Sequence, residues 1–137
     1  MEPIVNPVDG FTEFRWSTIN ERTLFPLVDP TDLGPLVRAI LEDPSEWANA
    51  EVPAVGEVLT IPQVAEVYSE VTGQSARAVF VDHVPQETIP QWLERHRAYR
   101  DVGYFPKYAG HETAVPELAR SLYPEMKTFA KWLKAPE

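Results

Sequence analysis

The spacing of apolar positions along this chain changes from two to between three and four and back, and each change predicts an element. In TEFRWSTI, residues 12–19, Phe14 and Trp16 alternate with Glu13, Arg15 and Ser17, the period of a half-buried strand. TLFPLVD continues as a second extended run, and Pro26, which has no N–H for a ladder, places it at a sheet edge or a strand start. In PLVDPTDLGPLVRAILEDPSEW, residues 26–47, the positions Leu33, Leu36, Val37, Ile40 and Leu41 recur at three and four and predict an amphipathic helix. With Asp32 as its N-cap, Pro35 falls at the third helical position, where a missing N–H has no intrahelical partner to lose. Pro44 then ends the helix.

Residues 51–59 read as a short extended segment around Val52 and Val55 with a turn at Gly56. The next helix opens at TIPQ, residues 60–63, where the Thr60 hydroxyl caps and the Gln63 side chain reaches back to the cap N–H. Val64, Val67, Tyr68 and Val71 form its stripe, and Gly73 supplies the left-handed stop. A strand, ARAVFVDH, follows. TIPQ recurs at 88–91 before WLERHRAYR, and since the residues after the two copies differ, it reads as the same capping chemistry used twice. VGYFPKYAG is a glycine and aromatic loop. VPELARSLYPEMKTFAKWLK reads as two short helices split at Pro124, the second capped by Thr128, with Phe129, Trp132 and Leu133 anchoring the tail on the body.

These elements make an α+β fold, a small sheet of short strands with four or five helices, in a single domain over residues 1–137. The fourteen prolines are dispersed as punctuation and mark no linker. With no cysteine, a disulfide framework, a thiolate zinc site and a cysteine nucleophile are excluded. The N-terminus shows no signal-peptide pattern, and no run approaches the ~20 apolar residues of a membrane span. A soluble, unprocessed, cytoplasmic protein with no membrane partner is expected. The formal charge of −9 repels phosphate backbones, so no nucleic-acid partner is expected, and Arg95, Arg97 and Arg100 read as a solvated helix face.

Candidate chemistry is sparse. His83, His96 and His111 are too far apart for a helical metal pair, and Pro85 interrupts the i, i+4 spacing of His83 with Glu87, so no metal site is expected. Tyr123 and Lys127 spell YxxxK, which in short-chain dehydrogenases sets a tyrosine acid beside a lysine on one continuous helix; Pro124 breaks that helix, and the pair is not assigned a catalytic role. No stretch matches GxGxxG or GxxxxGK[ST], and the six glycines are ungrouped, so the chain lacks a backbone cradle for a pyrophosphate. Tyr99, Tyr104, Phe105 and Tyr108 cluster around Gly103 and suit either an apolar pocket, with Lys107 at its mouth, or a loop packed over the core. Asp29 and Asp32 read as turn-forming and capping residues rather than an acid–base pair.

The order of PLVDPTDLGPLVRAILEDPSEW, GEVLTIPQVAEVYSEVTGQ, the valine-rich strand, the GYF loop and LYPEMKTFAKWLK resembles the C-terminal half of NmrA-like proteins, from about Phe11 onward. These are atypical members of the extended short-chain dehydrogenase superfamily. In them, the resemblance implies, a Rossmann half binds NAD(P) and the second half completes the sheet and closes over a substrate. Trp92, His96, Tyr99, Tyr104, Phe105 and Tyr108 become the expected substrate-binding residues, with catalytic residues unknown. No cofactor is expected on this chain alone, and NAD(P) only if a Rossmann half is supplied.

The first expectation for function is therefore a small-molecule- or partner-binding module, regulatory or non-redox. A second is a cofactor-independent isomerase or cyclase acting on an apolar metabolite with His83, His96 or Asp82, and a third is the substrate-binding half of a split or truncated NAD(P)H-dependent reductase. Because Leu33, Leu36, Val37, Ile40 and Leu41 would lose part of a neighbouring Rossmann sheet, self-association or a Rossmann-bearing partner chain is expected to cover them.

Overall fold

The computed structural model describes residues 3–81 and 90–135. Five strands run β1 (Ile4–Val5), β2 (Thr12–Ser17), β3 (Leu24–Leu27), β4 (Glu57–Thr60) and β5 (Ala76–Val81). The helices are α1 (Leu33–Glu42), α2 (Pro44–Trp47), α3 (Ile61–Thr72), α4 (Pro90–Val102), α5 (Val115–Leu122) and α6 (Phe129–Lys134). The fold is the expected mix of helices around a small set of short strands. Its additional helix, α2, was hidden by Pro44, which ends α1 and also starts the next turn under the Asp43 side-chain cap.

Two small sheets carry the strands. In the first, β2 lies between β1, antiparallel, and β5, parallel, with Thr12 opposite Ala76 and Ser17 opposite Val81. In the second, β3 pairs antiparallel with β4, Leu24 opposite Thr60 and Leu27 opposite Glu57. The Leu27 carbonyl accepts from Gly56 N–H, so that edge faces β4. By alternation the neighbouring Pro26 presents its donor-less nitrogen to the other edge, where it costs no ladder bond.

α3 is placed by its ends. Thr60 and Gln63 close the expected capping box, and Gly73, at φ 71°, returns its N–H to Ser69. Ile61, Val64 and Ala65 pack with Phe14, Ile19 and Phe25 in the main core. A second, smaller core joins Leu36, Ala119 and Met126. At Gly56 a Cβ would collide with the Lys127 carbonyl oxygen; only a residue without a side chain lets these linkers approach so closely.

Two expectations are corrected. The extended residues around Val52 and Val55 are not the strand: β4 begins after Gly56, because it is Glu57–Thr60 that finds a partner in β3. Glu13 does not face water as strict alternation implies; it is 2% exposed, held opposite Arg77 across the ladder and bonded by Asn6 and Arg15. Of the α1 stripe only Leu36 is buried and Ile40 half-buried, while Leu33, Val37 and Leu41 are exposed. Asp82, His83, Glu87 and the second TIPQ as far as Ile89 lie outside the described residues.

Candidate functional site

α4 brings much of the expected aromatic cluster together. His96 lies 5.6 Å from Trp16, 6.2 Å from Trp92 and 6.3 Å from Tyr99. Tyr99 stacks on Tyr104 at 3.5 Å, Tyr104 meets Phe25 at 5.5 Å, and Phe25 meets Trp16 at 5.1 Å. The five rings Trp16, His96, Tyr99, Tyr104 and Phe25 thus close a circuit, with Trp92 outside it under the Arg95 guanidinium. Trp16 and Phe25 are the members that the residue pattern did not join to the cluster, since they come from β2 and β3, far from it in sequence. Phe105 and Tyr108 form a separate edge-to-face pair at 6.4 Å.

Burial shapes the chemistry of this circuit. It lowers the pKa of His96, helped by Arg95, so the imidazole is neutral at pH 7. It also pushes the Tyr104 hydroxyl up to about 12, reinforced by Tyr99, so Tyr104 itself is a proton donor and not a base at neutral pH. Between Tyr104 and Phe105 the crevice lined by Leu24, Pro26 and Val58 holds only about 10 Å³, the size of one water at most. A wider hollow of about 370 Å³ lies on the other side of Tyr99, between Arg22, Arg100 and Glu112. Lys107 turns away to an ion pair with Glu51, and Arg100 is paired with Asp101, as a solvated face would have it.

A second site was not visible in the residue pattern. β3, the turn after it and the start of α6 enclose a groove of two adjoining hollows, about 230 Å³ and 330 Å³, that share Leu27, Phe129 and Trp132. Val28, Asp29 and Lys127 line the first; Phe14, Val64 and Tyr68 line the second. Trp132 and Phe129 stack at 5.9 Å with planes 15° apart, and Trp132 is half exposed, so it anchors the tail less completely than Phe129 does.

The rim of this groove holds Asp29 and Lys127, with Asp32 buried behind the lysine. Asp29 forms the expected turn, its carboxylate accepting from the N–H and hydroxyl of Thr31, both at 2.8 Å. Asp32 stands at the N-cap position of α1 but does not bond that helix. Its carboxylate, buried, accepts instead from the Lys127 backbone N–H at 2.7 Å and from Lys127 Nζ at 2.9 Å. Lys127 Nζ also meets Asp29 at 2.9 Å and Thr31 Oγ1 at 2.7 Å, so all three ammonium hydrogens have acceptors. Lys127 followed by Thr31 holds Asp29 down to about 2, and the two carboxylates raise the lysine in return. Tyr123 closes α5 while Lys127 sits in the linker beyond it, so YxxxK places no lysine beside that tyrosine on a shared helix.

Among the described residues no group of three or more His, Asp or Glu is placed to hold a metal ion, and no helix is long and apolar enough to cross a membrane.

The chain matches the model of the NmrA-like family over residues 6–133. It is 33% identical, over 61 residues, to the NmrA-like family domain-containing oxidoreductase lnbB of Aspergillus flavus, a match covering 44% of this chain and 16% of that protein. Its fold aligns with crystal structures of NmrA, a negative transcriptional regulator, at a TM-score of 0.73 and 21% identity for a monoclinic form and 0.68 and 20% for a complex with NAD. Each alignment covers 95% of this chain and 44% of the NmrA chain, so the chain spans less than half the length of these relatives. With nearly its whole length inside the family match, this chain belongs to the NmrA-like family.

Proposed function

We propose that this chain is the small-molecule- or partner-binding part of an NmrA-like architecture, equivalent to its C-terminal half, and that it works without a dinucleotide site of its own in a regulatory or non-redox role. The groove walled by Leu27, Phe129 and Trp132 carries this reading: an apolar hollow with a few fixed polar groups at one end is how small-molecule sites are built. The sequence supports the other half of the proposal, since no glycine-rich turn precedes a helix where a pyrophosphate would rest. Titrating NADPH into the chain, followed by nucleotide fluorescence and calorimetry, tests it. No saturable binding up to millimolar nucleotide is expected, and a micromolar Kd overturns the reading.

A split NAD(P)H-dependent reductase is the second reading, favoured by the outer face of α1. Leu33, Val37 and Leu41 recur every four residues there and are 37%, 52% and 69% exposed, a row that a Rossmann-bearing chain or a second copy would cover. On this reading NADPH binds only when such a companion is supplied. A cofactor-independent isomerase finds less support: the crevice between Tyr104 and Phe105 has no room for a substrate, and His96 does not line the wider hollow beside Tyr99.

A further inference from the structure

We propose that the groove between β3, α3 and α6 takes a small apolar molecule carrying a protonated amine. This rests on the binding-module reading and names the ligand class. The two hollows, about 230 and 330 Å³ with a shared wall, are of the size that holds a bicyclic or short-chain molecule. Their walls are apolar side chains apart from Tyr68, whose hydroxyl donates to Gln74, and the end formed by Asp29, Lys127 and Thr128, so the charged end chooses the head group.

Charge decides the choice. Lys127 at this end is already spent: its three donors go to Asp29, Asp32 and Thr31. Two carboxylates against one ammonium leave a net charge of −1, and Asp29 stays ionised across the neutral range. An incoming carboxylate or phosphate meets that negative charge with no free donor on the lysine, whereas an ammonium meets unused carboxylate lone pairs. The exposed indole of Trp132, stacked on Phe129, offers the same cation an aromatic face. A hydrophobic amine satisfies both halves of the groove; an apolar acid satisfies one and is repelled by the other.

Three probes with one ring system and different heads test this: 2-(1-naphthyl)ethylamine, the matching alcohol and 1-naphthylacetic acid, titrated into the chain by calorimetry at pH 7. The amine is expected to bind about tenfold more tightly than the acid, with the alcohol between. Asp29→Asn is expected to shrink that preference to less than about threefold while the alcohol still binds. Trp132→Ala, at a half-exposed position, weakens all three about tenfold and covers the case in which Asp29→Asn fails to fold. Equal affinities, no binding, or a preference unchanged in Asp29→Asn, which the chain's overall −9 charge alone would produce, overturn the proposal. So does gel filtration showing a dimer that Trp132→Ala makes monomeric, since a second copy then fills the groove. Loss of amine selectivity with NADPH still unbound removes only the ligand class; NADPH binding removes the binding-module reading itself.

Discussion

α1 and α3 carry equally clear apolar stripes and meet different fates. In α3 the stripe is largely covered: Val64 is buried beside Ile61 and Ala65; Val67, Tyr68 and Val71 are half-buried; and the helix is fixed at one end by the Thr60–Gln63 box and at the other by Gly73. In α1 a single residue, Leu36, reaches a core, no side chain caps the start, and Leu33, Val37 and Leu41 face outward. Periodicity says which positions want burial and nothing about what will bury them. α3 has two strands and α6 beside it, whereas α1 has α5 on one side and a face without a neighbour among the described residues. That uncovered row is the surface at which a test of association is best aimed.

The sharpest test of the contrast is truncation of matched positions, read by urea unfolding. Ile61→Ala is expected to cost about 3 kcal/mol, and Leu36→Ala a similar amount, as large-to-small changes do in close-packed interiors. Val37→Ala, next to Leu36 and just over half exposed, is expected to change stability by less than about 0.5 kcal/mol. A large effect at Val37 would mean that the α1 face is covered in solution.

Acid probes the sheet on which α3 rests. Asn6, then Arg77 and Arg15, hold Glu13 down to about 2, and Lys127 holds Asp29 to about 2 as well. Both lie below their unfolded values of ~4.3 and ~3.9, so their contribution is complete above those values and disappears as pH falls through about 2. Melting temperature is therefore expected to fall steeply between pH 4.5 and 2. In Glu13→Gln it is lower at pH 7 and the acid slope shallower. An unchanged slope in that variant would mean that Glu13 is not the paired, buried group described.

How far the sequence anticipated the structure depends on the range of the interaction. Local chemistry was legible: the capping box, the Gly73 stop, the Asp29 turn and the Thr128 cap are each set by residues within four positions. Long-range partners were not. Glu13 looked solvent-facing because its neutraliser, Arg77, is 64 residues away and becomes its neighbour only through parallel pairing. Asp32 looked like a helix cap because the lysine that claims it is 95 residues away. The aromatic residues of α4 and its following loop were foreseen as a cluster, yet Trp16 and Phe25, which complete the circuit, come from two strands. The groove was not legible because its walls are drawn from four separate elements, β2, β3, α3 and α6, and from linkers between them.

Capping gives a smaller, purely local difference between the two helices. Thr60→Ala is expected to lower stability by about 1 kcal/mol, and Thr60→Ser to restore most of it, because the hydroxyl accepting Gln63 N–H is what the cap supplies. Equal loss in both variants would place the role of Thr60 in packing and not in its bond.

The smallest expected effect on the chain alone separates the two readings of α1. Leu41, the most exposed of its row, loses no buried contact when changed to serine, so Leu41→Ser is expected to leave the urea midpoint within about 0.5 kcal/mol of the parent. Association is where it would register, because a leucine buried in a covered apolar row contributes roughly 1.5–3 kcal/mol that a serine does not. Light scattering of the parent chain and of Leu41→Ser, alone and with a Rossmann-bearing companion, reads this directly. An oligomer or complex that weakens about tenfold or more on substitution makes the α1 row an interface. Identical scattering for both proteins under both conditions would leave Leu33, Val37 and Leu41 as ordinary surface leucines and valine.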